Sequence, residues 1–224
     1  MTAEEYFGDW LSVIDEKELK GVVSKLNALK NVCPNKKDIF KVFNVTPYRS
    51  LKAVILCQDP YPQKGVATGI ALANKVNTPL SPSLEILKEA VINFDIPHNF
   101  TNFDPTLESW AKQGILLLNS ALTVEANLPG SHSLIWKPFI SKLLYNISSR
   151  NSGLVYILLG KQAQSFEPYI VGFPDKIIKE KHPAYYYKNK LRMPNYPFEY
   201  LVKSIKNNYN IKLKLYEEDY FDRD

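Results

Sequence analysis

Four polar residues of different chemistry stand at the ends of four short apolar runs in the 224-residue chain: Asp59, Asn119, Lys161 and His182. A carboxylate, an amide and an imidazole that can stay neutral suit recognition of a small polar ring and stabilisation of charge while a bond breaks. Each residue alone is weak evidence, because Asp before Pro is common in turns, Asn often caps, and a single His usually has a structural role. The chemistry requires that these side chains meet in space.

Several commoner chemistries have no motif in this sequence. There is no GxSxG, HExxH or GxGxxG pattern, and Cys33 and Cys57 are too far apart to form a CxxC redox pair. Gly160-Lys161 resembles the end of a phosphate loop, but the upstream glycine and the following Ser or Thr are missing. This segment therefore predicts a helix N-terminus that could meet an anion, not a nucleotide triphosphatase.

The elements that must position these residues follow from the apolar pattern. Residues 53–57, 115–118, 154–159 and 176–181 predict strands, and three of these runs are almost continuously apolar, as in strands buried on both faces. Helical periodicity between them predicts right-handed crossovers and a three-layer α/β/α domain around a central four-stranded, mainly parallel, twisted sheet. Ligands of such sheets bind outside the carboxyl ends of the strands, where all four polar residues would lie.

Helices are predicted on both sides of this region. The first fifty residues are expected to be helical, with Asp15 as the cap of a helix. Ser83 is predicted to cap the helix that carries Leu84 to Phe94, and another helix is expected at about 197–207. We expect one domain over 1–224, whose acidic tail after Leu215 is either disordered or packed locally through its aromatic residues.

Composition and charge limit the classes of protein to which this chain can belong. With 45% apolar and 23% charged residues, the chain is expected to be globular. Its net charge of +5 is unevenly distributed, because residues 176–214 form a basic block with 10 basic and 2 acidic groups. That block fits either a footprint for nucleic-acid phosphates or a solvated lysine-rich face. Two cysteines, an acidic N-terminus and short apolar runs favour a reducing, cytoplasmic location without a membrane span.

In order and spacing, several motifs of this chain resemble uracil-DNA glycosylase. They are QDPYP at 58–62, Gly69, Pro82-Ser83, LESWAKQGILLLNSALTV at 107–124, Ser131-His132, LLGKQAQ at 158–164 and KHPA at 181–184. The likeness covers about residues 34–205 and implies hydrolysis of the N-glycosidic bond of uracil in DNA, without metal or cofactor. We expect a monomer, with uracil-containing DNA as substrate and a DNA-mimicking inhibitor protein as a candidate partner.

The resemblance assigns roles to matching positions. Asp59 would orient the attacking water and favour the cationic sugar, while neutral His182 would donate to uracil O2, helped by the backbone N–H near Gln58. Asn119 would read the edge of uracil through its amide, and Tyr61 would stand against C5, where the methyl group of thymine would clash. A base inside a duplex must be flipped out to reach such a pocket.

Other positions depart from the family pattern. Leu72 stands where the family has an aromatic residue that stacks on uracil, which would cost about one or two decades of rate. In the HPAYYY loop, Ala184 replaces a serine and Tyr186 replaces a leucine that fills the vacated base stack, and Lys161 replaces a serine that touches phosphate. The residues expected to contact DNA are Ser83, His132, Lys161, Tyr186 and Lys188.

Two other readings of the same residues stay open at this point. The first is a catalytically weakened DNA-binding subunit of a replication or repair assembly on the same scaffold, because Leu72 and the altered loop could have reduced turnover. The second is an α/β hydrolase that acts on some other nucleobase or nucleoside. The joint presence of Asp59, Tyr61, Asn119 and His182 favours the glycosylase, since a protein that only binds DNA needs no carboxylate to orient water.

Overall fold

A computed structural model describes residues 3–92 and 101–218 and contains a four-stranded parallel sheet. Its strands are β1 (Ala53–Cys57), β2 (Ile115–Asn119), β3 (Val155–Leu159) and β4 (Lys176–Glu180), in the spatial order β2-β1-β3-β4. Every residue of β1, β2 and β3 is buried, because helices flank the sheet. The α/β prediction and all four strands are confirmed, with bounds that shift by no more than one residue.

The α-helices of the described residues alternate with these strands after an N-terminal part that is mostly helical, as expected. Within that part, however, Val32–Cys33 forms a short strand that pairs antiparallel with Val124–Glu125. The bounds of the helices are α1 (Ala3–Phe7), α2 (Glu16–Asn27), α3 (Lys41–Val45), α4 (Pro82–Val91), α5 (Glu108–Lys112), α6 (Ser133–Arg150), α7 (Lys161–Gln164), α8 (Pro183–Asn189) and α9 (Tyr196–Tyr209). Asp15 caps α2 as predicted, since its Oδ1 accepts a 3.0 Å hydrogen bond from the Glu18 N–H.

The predicted cap of α4 was wrong by two residues. Ser81 is the N-cap, and its Oγ accepts a 3.3 Å hydrogen bond from the Leu84 N–H. Pro82 explains the difference: its fixed φ and missing N–H suit the first helical position, so the capping residue must precede it. Ser83 is buried inside the first turn, and Phe94, predicted near the end of this helix, lies outside the described residues.

The core lies on both faces of the sheet and includes the three tryptophans, each almost fully buried. Trp110 ties the C-terminal region to this core, because its indole N–H donates a 2.9 Å hydrogen bond to the Leu215 carbonyl. Beyond it, the strand Glu217–Glu218 pairs antiparallel with Thr101–Asn102. The acidic segment therefore begins with local packing, while Tyr220 and Phe221 lie outside the described residues. No helix in the described ranges is both long enough and apolar enough to cross a membrane.

Candidate active site at the carboxyl edge of the sheet

The four strands deliver their polar residues to one edge, as the sequence predicted. Asn119 ends β2 opposite Cys57 of β1, so the Gln58–Asp59 segment begins beside it. Gly160 and His182, which follow β3 and β4, approach closely: a side-chain carbon added at Gly160 would lie 3.2 Å from the His182 Cβ, and its φ of +89° favours glycine. Glycine at position 160 is therefore needed for the fit of His182.

One oxygen of the Asp59 carboxylate accepts two hydrogen bonds, and the other accepts none from the described residues. Its Oδ2 accepts hydrogen bonds from the Gly130 N–H at 2.7 Å and from the Gln58 Nε2 at 3.1 Å. Its Oδ1 is buried and makes no hydrogen bond to the described residues. Burial raises the pKa of Asp59, while the two hydrogen bonds act in the opposite direction. The result is a fixed carboxylate with one buried acceptor oxygen available to a ligand or water.

Asn119 presents a second buried acceptor. The residue is 6% exposed, and its Oδ1 lies buried without a hydrogen bond to any described residue. The loop after it is tied to the Asp59 segment, because the Ser120 hydroxyl and the Ala121 N–H both donate to the Gln58 carbonyl, at 2.9 and 3.0 Å. An unmet acceptor in a buried position costs free energy unless a donor on a ligand satisfies it.

His182 is held in one tautomer at the start of α8. Its Nδ1 accepts a 3.2 Å hydrogen bond from the Ala184 N–H, so the proton of the neutral ring sits on Nε2. Burial, together with the positive charge of Lys188, lowers the pKa of His182 to about 4. At neutral pH the side chain is therefore an uncharged donor through Nε2.

Tyr61 forms a fixed wall on the same edge. Its hydroxyl donates a 2.9 Å hydrogen bond to the Leu72 carbonyl and shares a 2.6 Å hydrogen bond with the Ser81 Oγ. Burial raises the pKa of Tyr61 to about 12, so the hydroxyl stays protonated. Leu72 is buried in the core cluster with a φ of +66°, a conformation that non-glycine residues rarely adopt.

The residues expected to contact DNA fall into two groups. Lys161, the first residue of α7, and Lys188 on α8 are exposed and can meet phosphates. Ser83 and His132 are buried. The His132 Nδ1 shares a 3.0 Å hydrogen bond with the Thr123 hydroxyl, so in this structure the imidazole helps to fix the loop beside Gly130.

The structure buries Tyr186, to which the resemblance assigned the filling of the vacated base stack. Tyr186 is 7% exposed, and its hydroxyl donates a 2.5 Å hydrogen bond to Glu180, whereas Tyr185 and Tyr187 are 39% and 48% exposed. The reason is helical geometry: Tyr186 lies one turn after buried Pro183, on the face of α8 that packs against α4. Tyr185 and Tyr187 are thus the tyrosines of α8 whose rings reach solvent.

Two contributors to the site escaped the sequence analysis. Gly130 supplies a backbone donor to Asp59 from 71 residues further along the chain, and Ser81 holds the Tyr61 hydroxyl. The Pro129-Gly130 pair is a turn motif that could have drawn attention to the first. In the described ranges no group of three or more His, Cys, Asp or Glu side chains is placed to hold a metal ion.

Comparisons with known proteins identify the family of this chain. The family model "Uracil DNA glycosylase superfamily" matches residues 43–206. The uracil-DNA glycosylase of Coxiella burnetii strain RSA 493 is 39% identical over 186 residues, which cover 81% of this chain and 75% of that protein. The enzyme of Alkaliphilus metalliredigens is 34% identical over 202 residues, covering 85% and 86% of the two chains.

Solved structures share the fold. Mimivirus uracil-DNA glycosylase superposes with a TM-score of 0.71 at 20% identity, covering 95% of this chain and 90% of that one. The enzyme of Nitratifractor salsuginis gives a TM-score of 0.58 at 18% identity, covering 90% of both. With the family model matching most of its length and relatives above 30% identity, this chain belongs to the uracil-DNA glycosylase superfamily.

Proposed function

We propose that this protein is a DNA repair enzyme that hydrolyses the N-glycosidic bond of uracil in DNA and leaves an abasic site. The observation that carries the proposal is a pair of buried acceptors, Asp59 Oδ1 and Asn119 Oδ1, that have no hydrogen-bond partner among the described residues. They lie at the edge where His182 supplies a neutral donor. Buried polar atoms without partners are rare and costly in folded proteins. Their presence together at a strand edge supports a site built for a polar ligand.

Asn119 selects the base through its amide group. Its Oδ1 would accept from the N3–H of uracil, while its Nδ2 donates to O4. Cytosine has an acceptor at N3 and a donor at C4, so it would leave the buried Oδ1 of Asn119 unmet. Discrimination based on an unpaired buried group is strong.

His182 and Asp59 act on the two charges that bond cleavage creates. As the bond between C1′ and N1 breaks, its electron pair moves to the uracil ring, where the Nε2–H of His182 donates to O2. The sugar becomes cationic beside the ionised Asp59, whose Oδ1 orients the water that adds to C1′. Because His182 is neutral at pH 7, it stabilises the leaving base without a positive charge that would oppose the sugar cation.

Access to this pocket requires an extruded nucleotide. Lys161 and Lys188 would hold flanking phosphates, since both are exposed near the residues that follow β3 and β4. We assign the gap-filling ring to Tyr185, which lies on the face of α8 shared with Lys188 and stacks under the Lys181 ammonium at 4.1 Å from its ring centre. Lys188 is close enough to His182 to lower its pKa, so this face borders the pocket.

The remaining expectations concern partners and assembly. Two solved structures hold a mimivirus UNG variant in complex with UGI, and we propose that a DNA-mimicking inhibitor protein would bind the same edge of the sheet here. We also propose that the protein acts as a monomer inside the cell. We do not favour the weakened DNA-binding subunit, because the Asp59 carboxylate and the His182 imidazole are both held by hydrogen bonds at this edge of the sheet.

The test is incubation of the purified protein with an oligonucleotide that holds one uracil, scored for alkali-labile abasic sites beside matched thymine and cytosine strands. The Asp59→Asn variant is the control, because it keeps the shape of the side chain and an oxygen for the Gly130 bond. We expect uracil-dependent cleavage that this variant loses while it still binds the oligonucleotide. An intact uracil strand after prolonged incubation with the wild type would refute the proposal.

A further inference from the structure

The ring of Tyr61 is anchored through its hydroxyl to two separate segments. The Leu72 carbonyl accepts its proton at 2.9 Å, and the Ser81 Oγ lies 2.6 Å away. Because the Tyr61 proton goes to Leu72, the Ser81 hydroxyl can direct its own proton to the Tyr61 oxygen. Both hydrogen-bonding directions of the phenol are therefore used, and the ring cannot tilt without breaking one of them.

Ser81 is itself held from two sides. Its Oγ accepts a 3.3 Å hydrogen bond from the Leu84 N–H as the N-cap of α4, and its own N–H donates to the Asn74 Oδ1 at 3.4 Å. Asn74 is 3% exposed and also donates to the Pro79 carbonyl at 2.7 Å, which fixes the loop that leads into Ser81. The position of the Ser81 hydroxyl is thus determined by a helix end and by a buried side chain.

We propose that Ser81 is a positioning residue for base selection, because its hydroxyl fixes the Tyr61 ring against C5 of the bound pyrimidine and so excludes the methyl group of thymine. The inference rests on the proposed function. The Tyr61 ring excludes the thymine methyl group only if the ring cannot move, because a displaced ring would leave space for the methyl group. Loss of the Ser81 hydroxyl removes one of the two anchors of the ring without changing its size.

The experiment measures single-turnover cleavage of uracil, 5-fluorouracil and thymine in one oligonucleotide context by the wild type, Ser81→Ala and Ser81→Thr. We expect Ser81→Ala to lower the rate ratio of uracil to each 5-substituted base by about tenfold, the effect of losing one hydrogen bond of average strength. Ser81→Thr should restore the ratio, because threonine keeps the hydroxyl and the cap. The electronic effect of fluorine cancels when one substrate is compared between variants.

Loss of a helix cap has to be separated from loss of positioning. Asp15→Ala is the matched control, because it removes the N-cap of α2 through the same kind of bond, far from the site. It should lower thermal stability as Ser81→Ala does and leave both ratios unchanged. Tyr61→Phe keeps the ring and frees it from Ser81, so adding Ser81→Ala to it should produce no further change in the ratio.

Two outcomes would overturn the inference. One is an Ser81→Ala enzyme that releases uracil with wild-type ratios for both substituted bases, and the other is an equal shift of the ratios in Asp15→Ala. Failure of the proposed function would differ from both, because the wild type would then release no uracil and no ratio could be formed.

Discussion

His182 should make the stability of the protein depend on pH in a defined window. Its pKa is about 4 in the folded protein, against an ordinary value of 6.5. In the window between these values the unfolded chain binds more protons than the folded one, so the free energy of unfolding falls as the pH falls. At about 1.4 kcal/mol per pKa unit, the full window corresponds to about 3 to 4 kcal/mol, of which about 2 kcal/mol lies between about pH 7 and 4.5.

The assay is urea unfolding of the wild type and of His182→Asn at both ends of that range. Asparagine does not titrate, and it is a good N-cap whose oxygen can accept from the Ala184 N–H as the imidazole does. The wild type should lose about 2 kcal/mol more than the variant between about pH 7 and 4.5, and all other titrating groups cancel in the comparison. Parallel losses within about 0.5 kcal/mol would show that His182 titrates normally and would remove the argument for a neutral donor.

Four further substitutions test other residues at or near the site. Asp59→Asn should raise the melting temperature at neutral pH, because burial disfavours the charged carboxylate, and a lower melting temperature would contradict this. The same substitution should lower the cleavage rate by about a hundredfold or more. Leu72→Phe should speed single-turnover release of uracil by about tenfold through stacking, and a large loss would show that the pocket is organised differently. Tyr185→Ala should slow cleavage of duplexes more than of single strands. Tyr186→Ala should chiefly lower the unfolding free energy, by about 3 kcal/mol, because its ring is buried. The reverse pattern would show that Tyr186, and not Tyr185, fills the gap left by the flipped base.

The edge of the sheet was predictable because strands buried on both faces have a sequence pattern that few other elements share. Runs such as Ala53–Cys57 cannot alternate in polarity when helices cover both sides, so the polar residue that follows each run marks its end. Parallel strands then bring those ends together whatever the lengths of the connections. The positions of Asp59 and Asn119 at one edge follow from this rule, without knowledge of any side-chain contact.

The orientation of side chains within the loops was less predictable. Tyr185, Tyr186 and Tyr187 are the same residue type, and only the packing of α8 against α4 decides which ring is buried. The cap of α4 was misplaced because two serines flank Pro82, and each fits a capping pattern when the proline is ignored. Contacts such as Gly130 to Asp59 join distant parts of the chain and leave no periodic trace in the sequence.

The net charge of a sequence segment did not predict where its charged side chains lie on the surface. The basic block 176–214 does not form one face. Lys188 lies beside the site. Four other lysines of the block line a separate groove of about 750 Å³ together with apolar residues of α4 and α9; they are Lys203, Lys206, Lys212 and Lys214. Lys179 is paired with Glu167 at 3.0 Å. Only part of the net charge is therefore available to the phosphates next to the pocket.

One physical cause, burial, produces opposite electrostatic effects at the two reactive groups. It raises the pKa of Asp59 and lowers that of His182, since it disfavours the charged form of each. Hydrogen bonds from the Gly130 N–H and the Gln58 amide favour the ionised form of Asp59, whereas the positive charge of Lys188 adds to the effect of burial and disfavours the charged form of His182. The pocket thus carries one negative charge and one neutral donor, the combination that a cationic sugar and an anionic leaving base require.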